Sequence, residues 1–160
     1  MIWPAQWHRL TDSPESLAKW AIVPAAVGLV MAIPIATWWL VGDQSTVPAS
    51  ADPDYAFQPL DIGLCAEHAA GIGSTVLAVV TLMTLVWAAR RHHLDIRWWS
   101  VLVPLLAAGS IVGSGWRVLT AGVIGANIGA GLVIIFGGPV VAALLIWALA
   151  RSIHLLHRRA

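Results

Sequence analysis

Residues 98–147 contain a single charged side chain, Arg117, and read WWSVLVPLLAAGSIVGSGWRVLTAGVIGANIGAGLVIIFGGPVVAALLIW. Two apolar spans, over about 98–117 and 127–147, occupy most of this stretch, and a short glycine-containing turn separates them. Each span has about 20 residues, the length of helix that crosses a hydrocarbon core ~30 Å thick. The sequence therefore predicts a helical hairpin that is buried in a bilayer.

Two more apolar spans precede this hairpin, over about 20–41 and 69–89. Their apolar residues lie in long uncharged runs rather than at amphipathic spacing, which is the pattern of bilayer-spanning helices. The composition agrees, since 59% of the 160 residues are hydrophobic and only 11% are charged, whereas soluble domains average about 25% charged residues. We therefore predict an all-α integral membrane protein, with one domain over 1–160 and four transmembrane helices arranged as two hairpins.

The N-terminal segment carries a second, weaker helical pattern. Trp3, Trp7 and Leu10 share one face of a short amphipathic helix, which we predict to lie at the membrane surface; the alternative is a loose, aromatic-rich terminus. Ser13 followed by Pro14 is a helix-start signal, because serine caps free N–H groups and proline fits the first helical position. No cleavable signal peptide is evident, so we expect the first span to be retained.

The basic residues indicate an orientation. Eight of the nine fall on one side if the chain crosses the membrane four times, and Arg117 is the exception. Basic loops face the cytoplasm by the positive-inside rule, so both termini and the 90–97 loop are predicted to be cytoplasmic and the 42–67 loop to be outside. Tryptophans near the span ends support the same boundaries, because their amphipathic rings favour the interface. We expect a multi-pass protein of the plasma (inner) membrane of a bacterium.

The predicted outer loop, residues 42–67, is acidic and long. It has four aspartates, no lysine or arginine, and about 25 residues in all, a length that is usually functional or partner-binding in compact proteins. Tyr55 and Phe57 are among its apolar side chains, but the loop is too short to build its own core. We predict that Tyr55 and Phe57 form a docking surface for a partner protein.

Small residues recur at four-residue spacing in the second hairpin. Gly109 and Gly113 form one such pair, and Gly125 and Gly129 form another. Glycines at this spacing let two helix backbones approach closely, so that dispersion and weak hydrogen bonds act between them. We take these pairs to predict tight helix packing rather than one particular dimer.

Ionisable side chains are absent from the middles of all four predicted spans. Because intramembrane charges usually mark ion or proton pathways, this argues against a proton-coupled pump or an ion channel built from this chain alone. Glu67, His68 and Arg117 lie at a similar depth near the predicted outer surface. We predict an ion pair between Glu67 and Arg117 with His68 beside it; the alternatives are three separately solvated residues or a ligand site.

The predicted cytoplasmic side carries a basic collar. Arg90, Arg91, Arg158 and Arg159 are expected to contact anionic lipid head groups. The neighbouring histidines raise the alternatives of a bis-histidine haem or a zinc site, but every histidine lies too shallow for a haem inside the bundle. The sequence therefore predicts no catalytic residue, no metal site, no cofactor and no nucleic-acid partner.

Pro24, Pro104 and Pro139 are all predicted to lie in the inner leaflet, where helix breaks can expose backbone groups to a ligand. A small lipid or solute pocket there is one hypothesis, and simple packing kinks are the alternative.

These observations favour a non-enzymatic accessory or assembly subunit of a larger plasma-membrane complex, with membrane lipids and other integral membrane subunits as partners. Small-residue helix faces and the long outer loop support it, together with the lack of a recognisable catalytic pattern. One alternative is a small oligomeric transporter or lipid-handling protein, and a second is a cytochrome-like redox subunit.

Overall fold

The computed structural model describes residues 14–43, 57–58, 62–122 and 126–157. Its helices are α1 (Pro14–Val41), α2 (Leu64–Arg90), α3 (Trp99–Leu119), α4 (Ala126–Leu132) and α5 (Gly138–His157). A short 3-10 turn, Ile96–Trp98, leads into α3, and a π-helical turn, Val133–Gly137, joins α4 to α5. The predicted surface helix over 1–10, Ser13, Tyr55, Gly125, Arg158 and Arg159 lie outside the described residues.

Within the described ranges all regular structure is helical and four helical segments are long and apolar enough to cross a membrane, which confirms the predicted all-helical class and the number of candidate spans. Pro24 and Pro34 lie inside α1, and Pro104 lies inside α3, without ending either helix. Asp95 caps the turn before α3, since its carboxylate accepts a 2.9 Å hydrogen bond from the backbone N–H of Arg97. This bond satisfies a free N–H group at the start of the turn that leads into α3.

The helices pack in the spatial order α2–α1–α3–α5, because α1 contacts both α2 and α3 whereas α5 contacts chiefly α3. The largest buried cluster joins the first three helices and includes Leu29, Leu85 and Leu102. A smaller cluster, Val101 with Ala148 and Leu155, joins α3 to α5. The last helix therefore lies at one end of the row.

Two boundaries differ from the sequence prediction. Helix α2 begins at Leu64 rather than near residue 69, because Gly63 takes a positive φ of 71° at the turn and the polar residues Glu67 and His68 join the first helical turns. Helix α5 continues to His157 rather than ending near residue 147. This extension packs against α3, since Ala148 and Leu155 are buried there.

The fourth span is one helical rod with a π turn in its middle. Gly138 donates its backbone N–H to the carbonyl of Val133, five residues back, rather than four. Pro139 follows at once, and a proline ring clashes with the carbonyl four residues before it in a regular α-helix. The wider π turn relieves that crowding, so the Gly137-Gly138-Pro139 sequence modifies the helix without interrupting it.

Candidate functional site

Arg117 is the only arginine buried among the described residues, with 5% of its surface exposed. It lies near the C-terminal end of α3, where this helix meets the C-terminal end of α1 and the N-terminal end of α2. Removing a charge from water costs several kcal/mol unless it is paired and hydrogen-bonded. The contacts of this side chain therefore decide whether its burial is stable.

The guanidinium group of Arg117 is bound from three sides. Its Nε–H donates a 2.9 Å hydrogen bond to the carbonyl oxygen of Trp38. Its Nη2 group donates to the Glu67 carboxylate, and its Nη1 group lies 3.5 Å from the Asp43 carboxylate. Its Cζ atom also lies 4.0 Å from the centre of the Trp38 ring, a cation–π distance. We call Arg117, Glu67, Asp43 and Trp38 the arginine cluster.

Helix ends add to the electrostatics of the arginine cluster. The last four carbonyls of a helix lack intrahelical partners, and Trp38 supplies one of them because α1 ends at Val41. Arg117 therefore satisfies a free carbonyl at the negative end of α1 and also lies at the negative end of α3. Glu67 occupies the first turn of α2, where the helix dipole is positive and favours a carboxylate. All three helix dipoles therefore stabilise the charges of Arg117 and Glu67.

The structure brings Glu67 and Arg117 together and leaves His68 out of the contact. The Nδ1 atom of His68 lies 2.8 Å from the Leu64 carbonyl, and its ring meets the Trp39 ring edge-on at a centroid distance of 6.2 Å. From the sequence, Trp38 is predicted only as one of the tryptophans that anchor span ends at the interface, and Asp43 only as one of the four aspartates of the 42–67 loop. Asp43 follows the end of the first span by two residues, and that signal could have placed it at the depth of Arg117.

Glycines let α1 approach its two neighbours beside the cluster. A Cβ atom at Gly113 would overlap the Pro34 carbonyl and the Thr37 hydroxyl, and one at Gly71 would overlap the Trp39 ring. A Cβ at Gly109 would lie 3.2 Å from the Pro34 ring. The Gly109 and Gly113 pair therefore faces α1.

Gly129, from the second predicted pair, faces α3. A Cβ atom there would lie 3.3 Å from Val118. Its predicted mate, Gly125, is outside the described residues. The close approach of α4 to α3 thus involves a glycine, as it does between α1 and α3.

The 42–67 loop reaches the same end of the molecule. The backbone N–H of Phe57 donates a 3.2 Å hydrogen bond to the carbonyl of Leu119, at the end of α3, while half of the Phe57 surface stays exposed. The chain therefore returns over the end of α3 and presents an aromatic side chain near the arginine cluster. Cys65, at the start of α2, is a free and exposed thiol.

The opposite end carries the described part of the basic collar. Arg90 and Arg91 are exposed, and the Arg91 Cζ atom lies 5.9 Å from the centre of the Trp87 ring. Within the part of the chain that the structure covers, no three histidine, cysteine, aspartate or glutamate side chains converge on a possible metal position.

The arginine cluster can hold three helix ends in a fixed relation through one guanidinium group. The Arg117 guanidinium group, at its centre, binds two carboxylates and one backbone carbonyl of the chain itself. Comparison of the chain with protein-family models, curated proteins and solved structures gives no match. A function for the chain must therefore come from its own geometry.

Proposed function

We propose that this chain is a non-enzymatic accessory or assembly subunit of a larger protein complex in the plasma membrane. In the proposed orientation both termini and the basic collar are cytoplasmic, and the arginine cluster and the 42–67 loop lie outside. The observation that carries the proposal is the incomplete packing of the fourth span, Ile128–His157. Only 6% of the most apolar stretch of this span is buried inside the molecule, whereas 33% of the corresponding stretch is buried in the span Ile96–Leu119.

Among the described parts of the chain, the fourth span packs against one other span and leaves a wide side uncovered. It packs along α3, and its outward surface carries large apolar residues that are more than half exposed: Ile134, Ile135, Phe136, Ile146, Trp147 and Leu149. The arginine cluster fixes α1, α2 and α3 to one another but does not reach α5. The fourth span is thus the element with most surface left for a partner.

Two glycines on this span support a helix as the partner. At Gly131 and Gly138 no atom lies within 4 Å of the position that a Cβ would take. Association of helices in lipid depends on close backbone approach, because lipid tails are as apolar as the side chains they replace. An open glycine on a helix face that α3 does not cover therefore supplies what a second transmembrane helix needs.

The proposal is tested by purifying the tagged full-length chain in mild detergent from the membranes that contain it. We expect an integral membrane partner in stoichiometric amount, and we expect Gly138→Leu to release it, because a leucine would keep the two backbones apart. Gly73→Leu is the matched control, since Gly73 is a similarly open glycine on α2. A homo-oligomer that Gly138→Leu dissociates would favour the small transporter instead. A partner retained equally by both variants would place the contact elsewhere.

A further inference from the structure

A groove separates α1 from α3 at the end of the molecule opposite the arginine cluster. Its volume is about 660 Å³, within the range of small-molecule sites. The α1 wall includes Val23, Val27 and Met31, and the α3 wall includes Val101 and Leu102, with the fully buried Leu85 of α2 behind them. We call this space the α1–α3 groove.

The walls of the α1–α3 groove are apolar along its length. They run from Ile22 to Met31 on α1, a rise of about 14 Å at 1.5 Å per residue. A groove of this length and volume, with apolar walls, can hold an extended hydrocarbon chain.

One end of the groove is polar. His93, Leu94 and Asp95, in the turn between α2 and α3, close it there, and the Asp95 carboxylate is already bound to a backbone N–H. The same turn carries Arg90, Arg91 and Arg97, all exposed, so three positive charges accompany one negative charge over 90–97. Both salt bridges that the described residues form belong to Arg117, at the other end of the molecule.

We propose that the α1–α3 groove binds one acyl chain of an anionic phospholipid, whose head group lies against the arginines of the 90–97 turn. A ligand that uses both parts of the site needs a hydrocarbon chain and a negative charge at one end. A juxtamembrane arginine near an anionic lipid contributes about 1 kcal/mol, or about fivefold in affinity. The proposal requires membrane insertion but does not depend on a partner complex. It also locates a ligand near Pro24 and Pro104, whereas Pro139 lies on α5, away from the groove.

Lipid titration of the purified full-length chain tests the proposal. The midpoint of thermal unfolding in a maltoside detergent is followed against dioleoyl phosphatidylglycerol and, separately, dioleoyl phosphatidylcholine. We expect the anionic lipid to raise the midpoint at a lower concentration than the zwitterionic lipid. Arg91→Gln together with Arg97→Gln is expected to reduce this preference by about fivefold for each charge removed, while keeping the effect that both lipids share.

The matched groove variants are Val27→Trp and Val79→Trp. Both valines are about half exposed on apolar helix faces, but only Val27 lines the groove. Val27→Trp fills the space of the chain, so the half-saturating lipid concentration should rise at least about tenfold, as expected when a buried apolar contact is lost. Val79→Trp should leave it within about twofold. Equal effects of the two variants, or no preference between the lipids in the unmodified chain, would overturn the proposal. Loss of a protein partner with Val27→Trp, at unchanged lipid binding, would do the same.

Discussion

The Nε–H group of Arg117, near the end of α3, donates a 2.9 Å hydrogen bond to the carbonyl oxygen of Trp38, in the last turn of α1. A side chain of one apolar helix therefore caps the backbone of another. The same guanidinium group binds the Glu67 carboxylate at the start of α2. Because a lipid-exposed carbonyl or an unpaired guanidinium is expensive in a bilayer, each group stabilises the burial of the others.

Arg117→Ala and Glu67→Ala should both lower the stability of the chain in detergent. Removing one member of a buried pair costs about 3–5 kcal/mol, because the other charge stays buried. Arg117→Ala should cost more, since it also frees the Trp38 carbonyl, whereas Asp43 can still face Arg117 after Glu67→Ala. Thermal unfolding of the single and double variants measures this, and the double variant should lose clearly less than the sum. Additive losses would show that the two side chains are not coupled.

Gly113→Ala should be strongly destabilising and Gly109→Ala much less so. A methyl group at Gly113 would overlap the Pro34 carbonyl, which is backbone and cannot move without displacing α1. At Gly109 the nearest atom is 3.2 Å away, so a small shift suffices. Gly73→Ala is the control in open space, where alanine should stabilise the helix by up to about 1 kcal/mol. Unfolding midpoints in the reverse order would contradict the packing of α3 on α1.

Tyr55→Ser combined with Phe57→Ser should weaken co-purification of a partner and leave membrane insertion intact. The Phe57 hydrogen bond to Leu119 uses the backbone N–H, so the substitution does not remove it. The measurement is the amount of partner recovered per unit of tagged chain. Ile62→Ser, another exposed apolar position before α2, is the control. Unchanged recovery in the double variant would count against a docking role for the loop.

The proposed orientation predicts which thiols an impermeant reagent reaches from outside. In a Cys65→Ser background, a cysteine at Ser50 should be labelled in intact cells, and one at Ala160 only after the membrane is opened. The physical basis is the eight-to-one division of basic residues between the two sides. The opposite labelling pattern would reverse the orientation.

The four candidate spans could be predicted from the sequence because each is a long apolar run, and Asp95 could be predicted as a cap from its position before α3. The depth of Glu67 and Arg117 was also readable from their distance to the span ends. The role of the Trp38 carbonyl as an acceptor for Arg117 could not be predicted, since a backbone acceptor leaves no mark in the sequence. The spatial order of the helices was not predictable either. Lipid-facing and buried positions in these spans are equally apolar, so no polar face indicates which side meets a neighbour.

The π turn at Val133–Gly137 sets the rotational phase of the fourth span. In a regular helix, at about 100° per residue, Ala148 would point about 100° away from the face of Gly129, nineteen residues earlier. A π turn absorbs about one residue, which returns Ala148, and then Leu155, to the side that Gly129 presents to α3. Deletion of one residue here would allow a regular α-helix that is still long enough to span a membrane and that keeps Ala148 on the side of Gly129, whereas loss of the π turn without a deletion would turn the surface of α5 about 100° away from its neighbour. The number of residues in the span and the face that it shows to α3 are therefore set separately.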